Sequence, residues 1–211
     1  MTAINYGSFY NDKRAASDLH KFRKKGPIPS TRALIEALKA ERVQGATLLD
    51  IGGGIGAIQH ELIDAGLAHV TFVEASEPYL DTARKESQRR GHDGRITFLH
   101  GDFVGLADSI APAKIVTLDR VINVYPEWER LTDLAAARAE CLFGLVYPRD
   151  TRRVRLVIFA MNLLLRLLRQ PVRASVRPHD VIERIALENG LSSRLSRSVG
   201  PAWQVAVFRR E

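Results

Sequence analysis

Five short apolar segments recur along the chain, separated by stretches whose apolar residues are three or four positions apart. The apolar segments are residues 47–51, 69–73, 96–100, 114–118 and 142–147. Short runs rich in Val, Ile, Leu and Phe are typical of strands buried on both faces, and the intervening spacing is typical of amphipathic helices. The alternation predicts an α/β protein with a mostly parallel sheet.

Both ends of the chain depart from this alternation. Ahead of the first strand, residues 11–25 and 29–40 have apolar positions at helical spacing and are separated by Gly26-Pro27, so two helices are predicted. After a last helix that begins at Pro178, residues 191–209 alternate as two strands joined at Gly200-Pro201. Two such strands predict an antiparallel β-hairpin at the edge of the sheet.

A turn dense in glycine follows the first strand. Its candidate binding residues are Asp50, Gly52, Gly53, Gly54 and Gly56. Glycine lets the chain turn sharply and lets a ligand approach the bare backbone amides. Because an acid precedes the glycines, the turn suits a ligand with an amine and a carboxylate better than a pyrophosphate. Gly52, Gly54 and Ala57, followed by Glu74, also satisfy the dinucleotide fingerprint, so a nicotinamide cofactor is the main alternative.

Acids also end the next three strands. Glu74 closes the second, Gly101-Asp102-Phe103 follows the third, and Asp119-Arg120-Val121 follows the fourth. Together with the order Asp-x-Gly-x-Gly-x-Gly, these residues resemble the class I S-adenosylmethionine (SAM) methyltransferases. The resemblance implies a Rossmann-like, seven-stranded, mostly parallel sheet with a C-terminal antiparallel β-hairpin and N-terminal lid helices. It also implies SAM as cofactor and S-adenosylhomocysteine (SAH) as product.

The same resemblance implies which residues contact the cofactor. It places Asp50 and the glycine turn at the amino acid end, Glu74 at the ribose hydroxyls, Asp102 at the adenine amino group and Phe103 beside the ring. Residues 119–121 line the reactive end. Further cofactor candidates are Ala75, Tyr79, Gly101 and Tyr10, although packing explains Tyr79 equally well.

The chain also has features of one subfamily. The pair Phe9-Tyr10 before a charged helix, the run 119–126 and the long helix after the fifth strand resemble the magnesium-protoporphyrin O-methyltransferases. The chain has Gly53 and Ile55 where that family usually has Cys and Thr, and Asn123-Val124 where it has a histidine before Tyr-Pro.

The net charge of +7 is concentrated in two segments. Residues 13–25 hold six Lys or Arg and one Asp, and residues 149–173 hold seven Arg and one Asp. The second segment contains a run, 154–168, whose only polar residues are Arg155, Asn162 and Arg166. These three fall on one narrow stripe of a helix, so the rest of its surface is expected to be buried. Core packing, a substrate lid, and membrane or dimer contact are the alternatives.

The acceptor is expected to be small, anionic and partly apolar, and O-methylation is favoured, because arginines and an apolar helix occur where substrate pockets usually lie. Replacing Arg152, Arg153 and Arg155 should then weaken acceptor binding. A carboxylate acceptor needs no base at neutral pH, whereas a hydroxyl does. The candidate catalytic residues are Tyr125 and His179, with Asp119 as a third. The alternative role for Tyr125 is to form part of the pocket wall, and the alternative role for His179 is to cap its helix.

Two other functions stay open. The basic charge motivates an RNA methyltransferase, although the Asn-Pro-Pro-Tyr type of motif that accompanies amino methylation of bases is absent. The second open function is a non-catalytic SAM-binding subunit that uses the apolar helix as its interface. The remaining histidines, at 20, 60, 69, 92 and 100, are expected on the surface or in strands, and their spacing gives no metal site.

We expect one domain over residues 1–211, with N-terminal lid helices in 1–44 and a catalytic core in 45–211 that has a helical insertion at about 151–170. The single cysteine, Cys141, excludes an internal disulfide. An N-terminus without an apolar signal region favours a cytoplasmic protein. A small-molecule acceptor, no nucleic acid, a monomer or homodimer, and membrane contact through 152–169 are the expected partnerships.

Overall fold

The structure, a computed structural model, describes residues 9–211, in which eight α-helices and seven strands form. The helices are α1 (Asp12–Lys25), α2 (Pro29–Lys39), α3 (Ala57–Asp64), α4 (Glu77–Arg90), α5 (Phe103–Leu106), α6 (Trp128–Ala137), α7 (Arg152–Leu167) and α8 (His179–Glu188). The strands are β1 (Thr47–Ile51), β2 (His69–Glu74), β3 (Ile96–His100), β4 (Ala113–Asp119), β5 (Ala139–Pro148), β6 (Leu191–Val199) and β7 (Trp203–Arg210).

The strands form one sheet in the order β3-β2-β1-β4-β5-β7-β6. Strands β1 to β5 are parallel, and β7 lies antiparallel between β5 and β6. This arrangement confirms the predicted Rossmann-like sheet with its C-terminal hairpin, in which β6 rather than the last strand forms the edge. The turns that follow β1 to β5 all meet at one edge, where α/β proteins of this kind bind their ligands.

Helices cover both faces of the sheet. On one face, α2, α3 and α4 enclose a core that includes Leu34, Leu62 and Phe72. On the other, α6 and α8 enclose a core that includes Leu131, Phe143 and Ile182. All six side chains are fully or almost fully buried. The sheet is therefore covered on both faces, as its continuous apolar strands predict.

The two N-terminal helices, both predicted as lids, have different positions. Helix α2 packs on the sheet through Leu34 and Leu38, and α1 packs against α4 beside the edge where the strand turns meet. Residues 1–8 of the predicted lid segment lie outside the described residues. Only α1 therefore lies where a lid would be, while α2 belongs to the core layer.

A buried carboxylate joins α1 to α4. Glu86 accepts hydrogen bonds from Arg23 of α1 and from Arg89 and Arg90 of its own helix, at 2.6–2.9 Å. Burial alone raises the pKa of Glu86, but the hydrogen bonds from Arg89, Arg90 and Arg23 outweigh it and hold the pKa well below the usual range. The contact therefore stabilises the fold at neutral pH, and its contribution falls as acid protonates the carboxylate.

Helix α7 forms where it was expected, but it does not pack into the core, which was one of the alternatives for its apolar surface. Val154 is its only buried residue, and its inner side faces the edge where the strand turns meet. Asn162, which shares one narrow stripe with Arg155 and Arg166, contacts the segment after the helix, because its amide exchanges hydrogen bonds with the backbone of Ala174 at 2.7 and 3.0 Å. In the described part of the chain, none of the helices has the length and apolarity needed to cross a membrane.

Two histidines expected at the surface or in strands are buried instead. His60 of α3 is fully buried, and its Nδ1 lies 3.1 Å from Nδ1 of His92. Burial, with the nearby charge of Arg90, lowers the pKa of His60 to about 3, so the ring is neutral. Across residues 9–211, no cluster of three or more His, Cys, Asp or Glu side chains could hold a metal ion.

Candidate functional site

One large cavity lies at the edge of the sheet where the turns after β1 to β5 meet. Its volume is about 850 Å³, near the upper end of the range of about 300–1,000 Å³ that ligand cavities usually have. The strand turns form its floor, α1 borders one side, and α7 with the segment after it borders the other. A cavity of this size has room for a nucleoside-sized ligand and a second small molecule.

The glycine turn presents bare backbone to this cavity. Gly54 has a φ of +62°, a conformation that L side chains rarely adopt. A Cβ placed there would meet only the ring of Tyr79, at 3.8 Å. The space beside Gly54 is therefore open to a ligand because glycine has no side chain. A ligand can therefore lie directly against the backbone at this point.

Glu74 forms the neighbouring part of the floor. Its Oε2 accepts a hydrogen bond from the backbone N–H of Gly54 at 3.0 Å, and its Oε1 accepts one from Ser76 at 2.8 Å. Burial raises the pKa of Glu74, and these backbone hydrogen bonds oppose the rise. The carboxylate is held rigidly at the cavity wall, and its remaining lone pairs can accept the two hydroxyls of a ribose.

Asp50 lies behind the glycine turn rather than in the cavity wall. Its Oδ1 accepts a hydrogen bond from the hydroxyl of Thr117 at 2.7 Å, while its buried Oδ2 has no hydrogen-bond partner. A Cβ at Gly53 would lie 2.6 Å from that Oδ2, so the turn covers the carboxylate closely. Burial raises the pKa of Asp50 to about 7. A partly unsatisfied acid in this place fits a cationic ligand on the other side of the turn.

We expect Asp50→Asn to stabilise the ligand-free protein at neutral pH. Because the folded-state pKa is raised, the ionised carboxylate costs stability as pH rises from about 4 to about 7, and an amide avoids this cost. The variant should match the wild type near pH 4 and exceed its free energy of unfolding by about 4 kcal/mol above pH 7. Urea unfolding at several pH values measures the difference, with the exposed Asp81→Asn as control. A difference that does not change with pH would contradict this account.

Asp102 and Tyr125 are hydrogen-bonded to each other at the rim. The Tyr125 hydroxyl donates to the Asp102 carboxylate, with distances of 3.0 and 2.7 Å to its two oxygens. Asp102 also caps α5 by accepting from the backbone N–H of Val104. The sequence predicted both residues for the site but did not predict that they pair.

Aromatic residues close the side of the cavity next to α1. The Tyr10 ring packs edge-on against Tyr79, with centroids 5.7 Å apart, and the Arg14 guanidinium lies over the Phe9 ring at 4.1 Å. The Tyr79 hydroxyl donates to Asp18 of α1 at 2.7 Å. Tyr79 therefore offers its ring rather than its hydroxyl to a ligand, and Asp18 is a lining residue that the sequence did not reveal.

The end of β4 combines an acid, an arginine and a strained backbone. Asp119 accepts a hydrogen bond from the hydroxyl of Thr31 at 2.5 Å and one from Arg120 Nε at 3.3 Å. Arg120 has a φ of +60°, a conformation that is costly for a residue other than glycine. Its guanidinium lies 5.9 Å from the ring centroid of Trp203, which also lines the cavity. Such strain is concentrated at functional sites in proteins.

The cavity wall next to β5 and α7 combines apolar side chains with two arginines. The apolar residues include Val154, Ile158, Met161 and Leu165 of α7 and Val172 beyond it. Arg149 and Arg153 line the same region, and their side chains form no hydrogen bond or ion pair with any residue in 9–211. Two cations without protein acids beside an apolar wall suit a ligand that is anionic at one end and apolar at the other.

The structure brings most of the predicted site residues together around this cavity. The predicted residues that line it are Tyr10, Gly52, Gly54, Glu74, Ala75, Tyr79, Gly101, Asp102, Phe103, Asp119, Arg120, Val121 and Tyr125. Asp50, Gly53 and Gly56 do not line it, because the first lies under the turn and the other two do not face the open side.

His179 also lies outside the main cavity. Its Nδ1 is 2.5 Å from the hydroxyl of Tyr147, and it borders a separate cavity of about 230 Å³. At the start of α8 the ring packs parallel to Tyr147, with centroids 6.1 Å apart. This geometry favours the structural alternative for His179 over a catalytic role in the main cavity.

Part of the chain is similar to known methyltransferases. Residues 48–141 match the family model described as a methyltransferase domain. The ubiquinone/menaquinone biosynthesis C-methyltransferase of Allorhizobium ampelinum is 32% identical over 72 residues, which span 33% of this chain and 28% of that protein. The chain thus matches well under half of the length of this curated relative.

Solved structures of methyltransferases share the whole fold. Magnesium protoporphyrin IX methyltransferase from Synechocystis PCC 6803, solved with bound SAH, matches with a TM-score of 0.70 and 18% identity over 97% of this chain and 99% of that one. An O-methyltransferase family protein from Burkholderia thailandensis matches with a TM-score of 0.74 and 17% identity over 99% of this chain and 64% of that one. Residues 48–141 therefore resemble a methyltransferase domain, and the solved structures, at 17–18% identity, show that the fold of the chain is shared with methyltransferases.

Proposed function

We propose that this protein transfers a methyl group from SAM to an oxygen atom of a small acceptor that is anionic and partly apolar. The observation that carries the proposal is the continuity of one cavity, which joins the strand turns of the cofactor side to the arginines and apolar wall beside α7. When bound, SAM supplies an electrophilic methyl group.

The order of the strands divides the cavity between two ligands. Gly54, Glu74 and Asp102 follow β1, β2 and β3, which form one half of the parallel sheet. These residues would hold the cofactor, because they offer bare backbone, a rigid carboxylate for a ribose and an acceptor for an adenine amino group. Arg120 and Arg149 follow β4 and β5 on the other half, which leaves that half for the acceptor.

The chain contributes mainly orientation and exclusion of water. Arg149 and Arg153 would bind the anionic group of the acceptor, while the inner side of α7 packs on its apolar part. Holding two reactants in line can lower the barrier by about 7–11 kcal/mol, and this kind of transfer needs no acid for the leaving thioether. Apolar walls also strengthen the arginine contacts, because they keep water away.

The need for a base depends on the acceptor. A carboxylate is already ionised at neutral pH, whereas a hydroxyl must lose a proton during the transfer. Asp119 is the candidate, because it ends β4 on the acceptor half and its carboxylate can take the acceptor's proton directly, whereas the Tyr125 hydroxyl is bonded to Asp102 on the cofactor half. We expect Asp119→Asn to lower kcat about 100-fold for hydroxyl acceptors and to leave carboxylate acceptors unchanged. Steady-state kinetics with both classes, and with His179→Ala as control, would show whether kcat separates in this way.

The central test concerns the two cavity arginines. The sequence alone grouped Arg152, Arg153 and Arg155, but only Arg153 lines the cavity, and Arg155 pairs with Asp150 at 2.6 Å. We expect Arg149→Gln and Arg153→Gln each to raise the KM for the acceptor about tenfold without changing the Kd for SAM. The neighbouring Arg152→Gln serves as the matched control.

Formation of SAH from SAM should be followed with a panel of aryl and alkyl carboxylic acids, phenols and their neutral amide analogues. Turnover confined to anionic acceptors with an apolar body would support the proposal. Equal turnover of neutral analogues, or methyl incorporation into RNA with an affinity that falls steeply with salt, would contradict it. Binding of SAM without turnover of any acceptor would instead favour the non-catalytic subunit.

A further inference from the structure

The side of α7 that faces away from the cavity is an exposed apolar surface. It consists of Leu156, Phe159, Leu163, Leu167 and Leu168, called here the outer leucine face. Each of these side chains is more than half exposed, from 52% for Leu163 to 73% for Leu167. Single exposed apolar residues are normal, but a continuous row of large ones on a surface marks a contact with something apolar.

Arginines surround the outer leucine face. Arg152 and Arg155 lie at the beginning of α7, Arg166 lies in its last turn, and Arg169 and Arg173 follow it. All five are exposed, and of these only Arg155 pairs with an acid in the described part of the chain. Residues 149–173 hold seven Arg and one Asp, so the apolar surface lies within a strongly positive region.

We propose that the outer leucine face docks on the surface of an anionic lipid bilayer, with α7 lying in the plane of the interface. An amphipathic helix with basic residues beside a leucine and phenylalanine face is the sequence type that binds membranes in this way. The leucines and Phe159 enter the boundary between headgroups and acyl chains, while the long arginine side chains reach the lipid phosphates.

The charge argues against a second copy of this chain as the occupant. A symmetric dimer through α7 would bring two arginine-rich segments together without acids between them, and like charges across an interface oppose association. An anionic bilayer provides both an apolar layer and the opposite charge. This proposal does not depend on the identity of the acceptor, because it concerns only the outer side of α7.

The test uses the full chain and large vesicles of two compositions, phosphatidylcholine alone and phosphatidylcholine with phosphatidylglycerol. We expect cosedimentation with the anionic vesicles, weaker as salt rises, and at least about tenfold less with the neutral ones. Leu163→Gln with Leu167→Gln should weaken binding to the anionic vesicles about 100-fold, because two large apolar side chains leave the lipid.

Matched controls separate docking from general loss of structure. Ile28→Gln with Leu187→Gln removes exposed apolar side chains, 40% and 57% exposed, from other surfaces, and should leave vesicle binding unchanged. The affinity for SAH, measured by calorimetry, should be the same for all these proteins. Absence of binding to anionic vesicles, or equal binding of the double leucine variant, would overturn the proposal. A lipid-free dimer in sedimentation velocity that the leucine variant abolishes would assign the face to self-association and overturn it as well.

Discussion

Replacing Glu74 by glutamine should weaken the binding of SAM about 100-fold, because a neutral amide loses two charge-assisted hydrogen bonds to the ribose. The same change disturbs the turn, since Glu74 accepts from the backbone of both Gly54 and Ser76 and the amide nitrogen cannot accept. The two effects act in the same direction, so this should be among the largest single losses of cofactor affinity in the protein. Calorimetric titration with SAM or SAH measures it.

The control for Glu74→Gln is Glu77→Gln, which removes an exposed acid from the first turn of α4. Circular dichroism should show that both variants keep the secondary structure of the wild type. If the affinity of Glu74→Gln for SAM stays within about threefold of the wild type, the carboxylate does not hold the cofactor and the orientation proposed here is wrong.

Gly54→Ala should also weaken SAM binding about 100-fold, because its Cβ would occupy the space in which the ligand approaches the backbone. Gly91 at the end of α4 provides a matched comparison. The φ angles are +62° and +69°, and a Cβ would meet only the Tyr79 ring at Gly54 and no atom within 4 Å at Gly91. Both alanine variants should therefore lose a similar amount of stability, about 1 kcal/mol, from the backbone conformation alone.

Comparison of the two alanine variants isolates the cavity effect. Thermal unfolding should give similar shifts, and only Gly54→Ala should lose affinity for SAH in calorimetry. Equal loss of affinity in both variants would mean that the effect arises from general destabilisation, and it would remove the main argument that this turn contacts the cofactor.

The sheet and the floor of the site follow closely from local patterns in the sequence. The predicted strand at Ile96–His100 has the observed bounds, and Glu74 and Asp119 lie at the ends of their strands as expected. Strands buried on both faces give long apolar runs, and a polar residue that ends such a run is easily recognised. The edge at which parallel strands end then determines that these residues meet.

The orientation of α7 could not be predicted in the same way. Its residues are apolar around most of the circumference, so their spacing does not tell which side faces the protein. The spacing groups Asn162 with Arg155 on one narrow stripe, yet only Asn162 bonds the backbone of Ala174. That contact depends on the path of the segment after the helix, which has no regular pattern.

Polar contacts between distant parts of the chain were also missed. Thr31 bonds Asp119, and Asp18 bonds Tyr79, across separations of 88 and 61 residues. Nothing local distinguishes Thr31 from any other residue in the first turn of a helix. For Asp18, a weak signal exists, since it is the single acid in the basic run of residues 13–25. For His179, the sequence did not reveal the contact with Tyr147 of β5, which holds the ring outside the large cavity.

The position of Trp203 makes its fluorescence sensitive to the contents of the large cavity. Of the two tryptophans, Trp203 borders the large cavity beside the Arg120 guanidinium, whereas Trp128 is buried under Arg177. Indole emission depends on nearby charge and water, so the fluorescence of Trp203 should change when a molecule fills the space next to it. Trp128 supplies a constant background, and occupancy of the acceptor half can be followed in real time without attaching a dye.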